Sequence, residues 1–191
     1  MIIGIDIDDT ICNTTEVAIA MAIRYVGEKN LKLPSKIDGS SFLIKDIFHW
    51  SDEVSDDFWL KYHDQILSLV TAKPLVQEVL LRLHRAGQQI KFITARHNNS
   101  EIYNSKTITE SWLKTQNIYY DELICECQEK GEACLKQKVD VFIDDLPANC
   151  LMAAQAGIKT CVFDSVWNQN LADPRITRIY SWTHFEQFLK E

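Results

Sequence analysis

Three carboxylates crowd into four residues near the start of the chain, in Ile5-Asp6-Ile7-Asp8-Asp9-Thr10. They close the apolar, β-branched run 1–7, which reads as a buried strand. Side chains alternate along a strand, so Asp6 and Asp8 are expected on one side and Asp9 on the other. Two carboxylates facing the same way repel. A cation between them, or a proton held by one of them, relieves the repulsion. An all-oxygen site suits a hard divalent ion such as Mg²⁺. The plainer alternative is a strand that ends in a solvated acidic turn. A second apolar run, 139–144, also ends in paired acids, Asp144 and Asp145. Unpaired charge at the edge of a core is costly, so this pair also calls for a partner. A third run ends Phe92-Ile93-Thr94-Ala95-Arg96, which places a hydroxyl and a guanidinium at a strand end.

The elements that must position these groups are legible as a pattern. Apolar β-like runs fall at 1–7, 89–94, 121–125, 139–144 and 159–163. Helical periodicity lies between most of them. Residues 75–86 set Leu75, Val76, Val79, Leu80 and Leu83 on one face, with Gly87 as the cap beyond. Residues 105–116 and 147–156 are similar, the latter opened by Pro147 and closed by Gly157. Alternating strands and helices predict an α/β fold, a parallel sheet with helices on both faces. Ligands are then expected at the C-terminal ends of the strands. The alternation breaks between the first strand and residue 75. That stretch holds helical segments at 15–28 and 54–71, a polar stretch 34–41, and Phe48-His49-Trp50. It is too long for a loop and reads as a small helical insertion beside the first strand's C-terminal end. The expected organisation is a core of 1–13 and 74–191 with an insertion over 14–73.

At 191 residues, 46% hydrophobic and 25% charged, the chain has the make-up of one globular unit. A net charge of −7 argues against a nucleic-acid polymer as partner, but a bound cation and a lysine or two still admit a small anion. No signal peptide and no stretch of membrane-spanning length is expected. The six cysteines contain no Cys-x-x-Cys pair. Cys125, Cys127 and Cys134 match no standard zinc spacing, and reduced thiols predict a cytoplasmic protein. Both a monomer and a homodimer remain open.

Asp6-x-Asp8-x-Thr10, Ile93-Thr94-Ala95-Arg96, a lysine, and Asp144-Asp145 stand in the order of the motifs of the haloacid dehalogenase-like (HAD) phosphatases. The resemblance covers nearly the whole chain. It implies a Rossmann-like core with a cap, and a Mg²⁺-dependent phosphomonoester hydrolase. Asp6 would be the nucleophile and Asp8 the general acid/base. The resemblance further implies that Asp6, Asp8 (through its carbonyl), Asp144 and Asp145 hold Mg²⁺. Thr94 and nearby backbone at Ala95 and Arg96 would bind phosphoryl oxygens. Arg96 is otherwise free to contact substrate or the cap, or to pair with a surface acid. Lys130, at the start of the helical stretch 130–138, is the lysine expected to hold the phosphate.

More finely, the chain resembles the bacterial relatives of 5′(3′)-deoxyribonucleotidases. That resemblance rests on the length of the insertion, on Lys73-Pro74, and on Phe163-Asp164…Trp167-Asn168…Trp182. A nucleoside monophosphate is the substrate it implies. Phe48 and Trp50 are then candidates to stack a base, or to pack the cap on the core, whereas Phe58 and Trp59 are expected in the core. A sugar phosphate or another small phosphomonoester is the alternative substrate. A non-catalytic binding or regulatory protein is the alternative class, and intact Asp6 and Asp8 speak against it.

Overall fold

The computed structural model describes residues 1–37, 41–98 and 101–190; residues 38–40, within the polar stretch of the insertion, lie outside it. Six parallel strands form one sheet: β1 (Ile2–Ile5), β2 (Gln89–Ile93), β3 (Glu122–Ile124), β4 (Val141–Asp144), β5 (Lys159–Phe163) and β6 (Ile176–Ile179). Their order is β3-β2-β1-β4-β5-β6. The chain builds outward from β1 on one side, then returns to its other side at β4. A crevice therefore opens above the C-terminal ends of β1 and β4, where the strand order reverses.

The helices are α1 (Thr14–Glu28), α2 (Ile44–Phe48), α3 (Asp52–Leu69), α4 (Val76–Arg85), α5 (Ser105–Thr115), α6 (Lys130–Lys136), α7 (Pro147–Gln155) and α8 (Trp182–Phe188). Ile3, Ile5, Ile90, Phe92 and Ile143 bury one sheet face against α4, α5 and α8, which contribute Val79, Leu83, Trp112 and Phe185. Phe142 and Ile93 bury the other face against α6 and α7 through Cys134 and Ala153. Neighbouring residues of one strand thus serve opposite layers, as the pleat requires.

The long stretch between β1 and β2 is helical, as its periodicity predicts. Its helices α1, α2 and α3 gather around a third cluster of Ala22, Tyr25, Ile47, Phe48, Phe58 and Tyr62. The two ends of the stretch leave the core side by side. Cys12 and Ala72 form an antiparallel bridge. Lys73 N donates to the Ile11 carbonyl at 2.8 Å, and Thr71 N to Asn13 Oδ1 at 2.7 Å.

Three expectations need correction. Strand β1 ends at Ile5, not at residue 7. Leu75 is not on the buried face of α4; it precedes the helix at φ 65° and is 49% exposed, because the helix begins at Val76. Strand β6 and helix α8 escape the apolar-run reading. β6 is a short edge strand interrupted by Arg178, and edge strands carry charge on purpose. The six cysteines are free thiols. No helix among the described residues is long and apolar enough to cross a membrane.

Candidate active site

The site is assembled by strand register. Ile5 pairs with Ile143 across β1 and β4, and Asp6 N donates to the Ile143 carbonyl at 3.0 Å. Asp6 therefore stands beside Asp144, at the reversal of strand order. Asp6 is 6% exposed, Asp144 0% and Asp145 2%. One carboxylate oxygen from each of the three lies within 4.8 Å of the others.

Lys130 enters this cluster from the first turn of α6. Its Nζ donates to Asp6 Oδ1 at 2.6 Å and to the Ile93 carbonyl, and it stands 3.8 Å from Asp144 Oδ2. The side chain is 1% exposed. The next residue explains how α6 comes so close: a Cβ at Gly131 would lie 2.8 Å from the Met152 carbonyl of α7, so only glycine fits there. One ammonium against three carboxylates leaves two negative charges uncompensated in a buried space. Burial accordingly pushes Asp6 up to about 8, against the pull of Lys130 and with the push of Asp144 and Asp8. Asp144 and Asp145 are raised as well, by burial first. Lys130 is raised in spite of its burial, held charged by Asp6 and Asp144. An all-oxygen donor set with this surplus charge fits a hard divalent cation such as Mg²⁺.

The paired acids of β4 are both tethered. Asp144 Oδ1 accepts from Leu146 N at 2.8 Å and Oδ2 from Asn149 Nδ2 at 2.9 Å. Asp145 Oδ1 accepts from Thr10 Oγ1 at 3.3 Å and Oδ2 from Trp167 Nε1 at 2.9 Å. A carboxylate has lone pairs to spare beyond these bonds.

Asp8 and Asp9 depart from simple alternation. Both line the same cavity as Asp6, so the expectation that Asp9 points away is corrected. The strand has already ended, and Asp9 sits in a turn at φ 55°. Its carboxylate accepts from Thr15 N at 3.0 Å and from Thr15 Oγ1 at 2.6 Å, satisfying an otherwise unpaired donor in the first turn of α1. Burial raises Asp9 to about 6 against those bonds. Asp8 accepts a two-pronged contact from Arg96, Nε to Oδ2 at 2.9 Å and Nη2 to Oδ1 at 2.7 Å. Thr14 Oγ1 also donates to Oδ1, at 2.6 Å. Burial alone would raise Asp8, but Arg96 and Thr14 outweigh it and the net shift is downward.

Arg96 is thus buried and committed to Asp8 rather than to a surface acid, and its Nη1 donates to Thr109 Oγ1 at 2.8 Å. Thr94 is buried at the end of β2, and its hydroxyl oxygen accepts from Arg96 N at 3.2 Å. Ala95 lines the cavity.

That cavity has a volume of about 230 Å³. Its floor is Asp6, Asp8, Asp9, Lys130 and Asp145; its mouth is Ala18, Phe42, Ile44 and Trp59 from the helical layer. Phe48 and Trp50 are not among the lining residues. They lie against each other with ring planes tilted by 36° and centroids 4.9 Å apart and pack against Tyr25 and Phe58, so the packing alternative describes both and their placement at a base platform is corrected. Phe58 is fully buried, as expected, while Trp59 packs partly buried against the same cluster and also lines the cavity. Phe42 and Asn149 carried no chemical motif in the sequence, and only their places in the fold bring them to the site; Trp167 was legible only as part of the late segment that carries the finer resemblance.

A family model described as "5' nucleotidase, deoxy (Pyrimidine), cytosolic type C protein" matches residues 1–191. The curated "Putative nucleotidase YqfW" of Bacillus subtilis is 28% identical over 194 residues, 98% of this chain and 92% of that protein. Among solved structures, a "Putative Phosphatase" from Clostridium difficile superposes with a TM-score of 0.72 at 13% identity, over 98% of this chain and 97% of that one. The haloacid dehalogenase-like hydrolase SP0104 of Streptococcus pneumoniae gives 0.67 at 11% identity, over 98% and 97%. The structural likenesses establish the shared α/β fold.

Proposed function

Because the chain belongs to the cytosolic type C 5′-nucleotidase family, and is a phosphatase of the nucleotidase kind, we propose that it hydrolyses nucleoside monophosphates, deoxyribonucleotides foremost, with Asp6 as nucleophile and Mg²⁺ as cofactor. The observation that carries this reading is the division of one cavity. A floor of acids and a buried lysine meets a mouth made of Phe42, Ile44 and Trp59. The floor suits a phosphoryl group beside a cation, and the aromatic mouth suits a flat base, which any aromatic face can stack. A sugar phosphate would ask for basic or hydroxyl lining instead; the hydroxyls of Thr14 and Thr15, which line the cavity, are already given to Asp8 and Asp9.

In the first half-reaction an Asp6 carboxylate oxygen attacks phosphorus in line. The phosphorus–ester oxygen bond breaks, an aspartyl-phosphate forms, and the leaving alcohol takes a proton from Asp8. In the second, Asp8 removes a proton from water, the water oxygen bonds to phosphorus, and the Asp6–phosphorus bond breaks to free inorganic phosphate. Lys130 holds Asp6 in place and, with Thr94 and the Ala95 backbone, neutralises the equatorial oxygens. Mg²⁺ held by Asp6, Asp144, Asp145 and the Asp8 carbonyl would neutralise the phosphate's charge so that an anion can approach an anion. The grip of Arg96 keeps Asp8 ionised, ready as the base of the second half-reaction. To serve as the acid of the first, Asp8 must gain a proton against that pull. Residues 14–73 act as a cap over a core of 1–13 and 74–191, and the enzyme works in the cytoplasm.

The test is phosphate release with Mg²⁺ from a panel of nucleoside monophosphates, sugar phosphates and an aryl phosphate, with Asp6→Asn as the blank. A preference for nucleotides that disappears in the variant supports the reading. Turnover of sugar phosphates with nucleotides ignored removes the substrate claim.

A further inference from the structure

Trp167 and Asn168 follow β5 in a single 3-10 turn, Val166–Asn168, and the reaction as described uses neither. Both are bonded to Asp145, from opposite ends. The Trp167 indole donates to carboxylate Oδ2 at 2.9 Å. The Asn168 amide donates to the Asp145 main-chain carbonyl at 2.8 Å and to the Phe163 carbonyl at 2.8 Å. Asn168 is itself 1% exposed, and its Oδ1 accepts from Arg178 Nη1 at 2.6 Å. The turn is thus anchored to β5 and β6, and it grips the acid that directly follows β4.

An indole N–H can only donate. It occupies one lone pair of Oδ2, fixes the plane of the carboxylate and leaves the other lone pairs for a cation. Partners of this kind orient a ligand and set its strength without touching the metal. On its other side the Trp167 ring meets Phe42 at the cavity mouth, edge to face with centroids 6.5 Å apart. Phenylalanine at 167 keeps an aromatic ring there while removing the donor.

We propose that Trp167 is a positioning residue of the cation site: its N–H, the shorter of the two hydrogen bonds that hold the Asp145 carboxylate, presents that carboxylate to Mg²⁺, so affinity for the ion falls when it is lost. The inference rests on the Mg²⁺ reading above and is independent of which ester is cleaved.

The test is Mg²⁺ binding to the metal-free full chain, by calorimetry without substrate, for wild type and Trp167→Phe. The dissociation constant is expected to rise about tenfold or more, within the about 10–100-fold range for such partners. In turnover, the Mg²⁺ concentration for half-maximal rate rises alike, while KM for substrate at saturating Mg²⁺ stays near the wild-type value. Equal Mg²⁺ affinity in the two proteins overturns the proposal, and so does a wild type that binds no Mg²⁺. A wild type that binds Mg²⁺ but ignores nucleotides defeats the substrate reading and leaves this one standing. A second measurement needs no variant. On Mg²⁺ addition the indole N–H resonance of Trp167 should shift, while that of Trp112, bonded to the Val70 carbonyl, should not. A stationary Trp167 resonance overturns the proposal.

Discussion

The floor and the mouth of the candidate active-site cavity are built on opposite plans. The floor is polar, buried and held by the sheet: Asp6 and Asp144 stand on paired neighbouring strands, and Lys130 is locked between them. The mouth is apolar and carried by the helical layer, running from buried Ala18 and Ile44 out to Phe42 at 40% exposure. Groups that must meet a reacting atom within fractions of an ångström belong on rigid elements. Groups that select a partner by area tolerate more play. Chemistry and choice of substrate are therefore separable here, and each can be damaged alone.

The sharpest way to break that separation is at the floor. Asp6→Asn should lower kcat by about 10⁴-fold or more, as loss of a covalent nucleophile does, with an unaltered fold by circular dichroism. A variant with near-normal phosphate release would remove Asp6 from the mechanism. Next comes the helical layer's own core. Phe48→Ala should cost about 3–5 kcal/mol of stability, read as a lower urea midpoint, because Phe48 is buried against Trp50. Should it raise KM at full stability instead, Phe48 belongs to the mouth after all. Trp59→Ala should do the reverse. It is expected to raise KM for a nucleotide by the equivalent of about 1–3 kcal/mol, with kcat on a small aryl phosphate held. Equal losses on both substrates would deny the mouth its selective role.

The smallest effect is in pH. Asp6, raised to about 8 without a cation, binds its proton more tightly in the folded chain than in the unfolded one. Its contribution is fully present below the ordinary carboxylate range and is lost as pH climbs through about 8. Asp144 and Asp145, also raised, act with the same sign. Asp8, lowered, acts oppositely, and its contribution is lost only as pH falls below the ordinary range. Tm of the metal-free protein should thus drop by a few degrees, on the order of 2–4 °C per kcal/mol, between about pH 5 and pH 8. Mg²⁺ should reduce that drop. A Tm that is flat across this window, with and without Mg²⁺, would mean that the acids are not strained by one another.

The floor was the legible half. An apolar run that ends in acids says both where a strand lies and that its end has a task, and β1 and β4 each say so within a few residues. Lys130 could be placed by its position at a helix start. Arg96 could not, because its partner Asp8 is 88 residues away and no local pattern announces a buried ion pair. The mouth was less legible still. On α3, Phe58 and Trp59 are neighbours about 100° apart around the helix axis. Phe58 shares a face with Ser55, Tyr62 and Ile66, all buried, and Trp59 shares one with His63. Either face offers aromatic residues at helical spacing, so only the docking of α3 decides which one looks into the cavity.

The paired exit and re-entry of the helical stretch, Cys12 bridged to Ala72 and Lys73 bonded to Ile11, has a consequence for how such a chain can change. The sheet meets this stretch through two adjacent stubs that are already fastened to each other. Nothing in the strand register counts the residues between them, and closing a longer excursion is cheap, each doubling costing only about 0.6 kcal/mol. The stretch can be lengthened, shortened or exchanged for another while the acids beneath keep their places, so new substrates can be reached without rebuilding the machine that cleaves them.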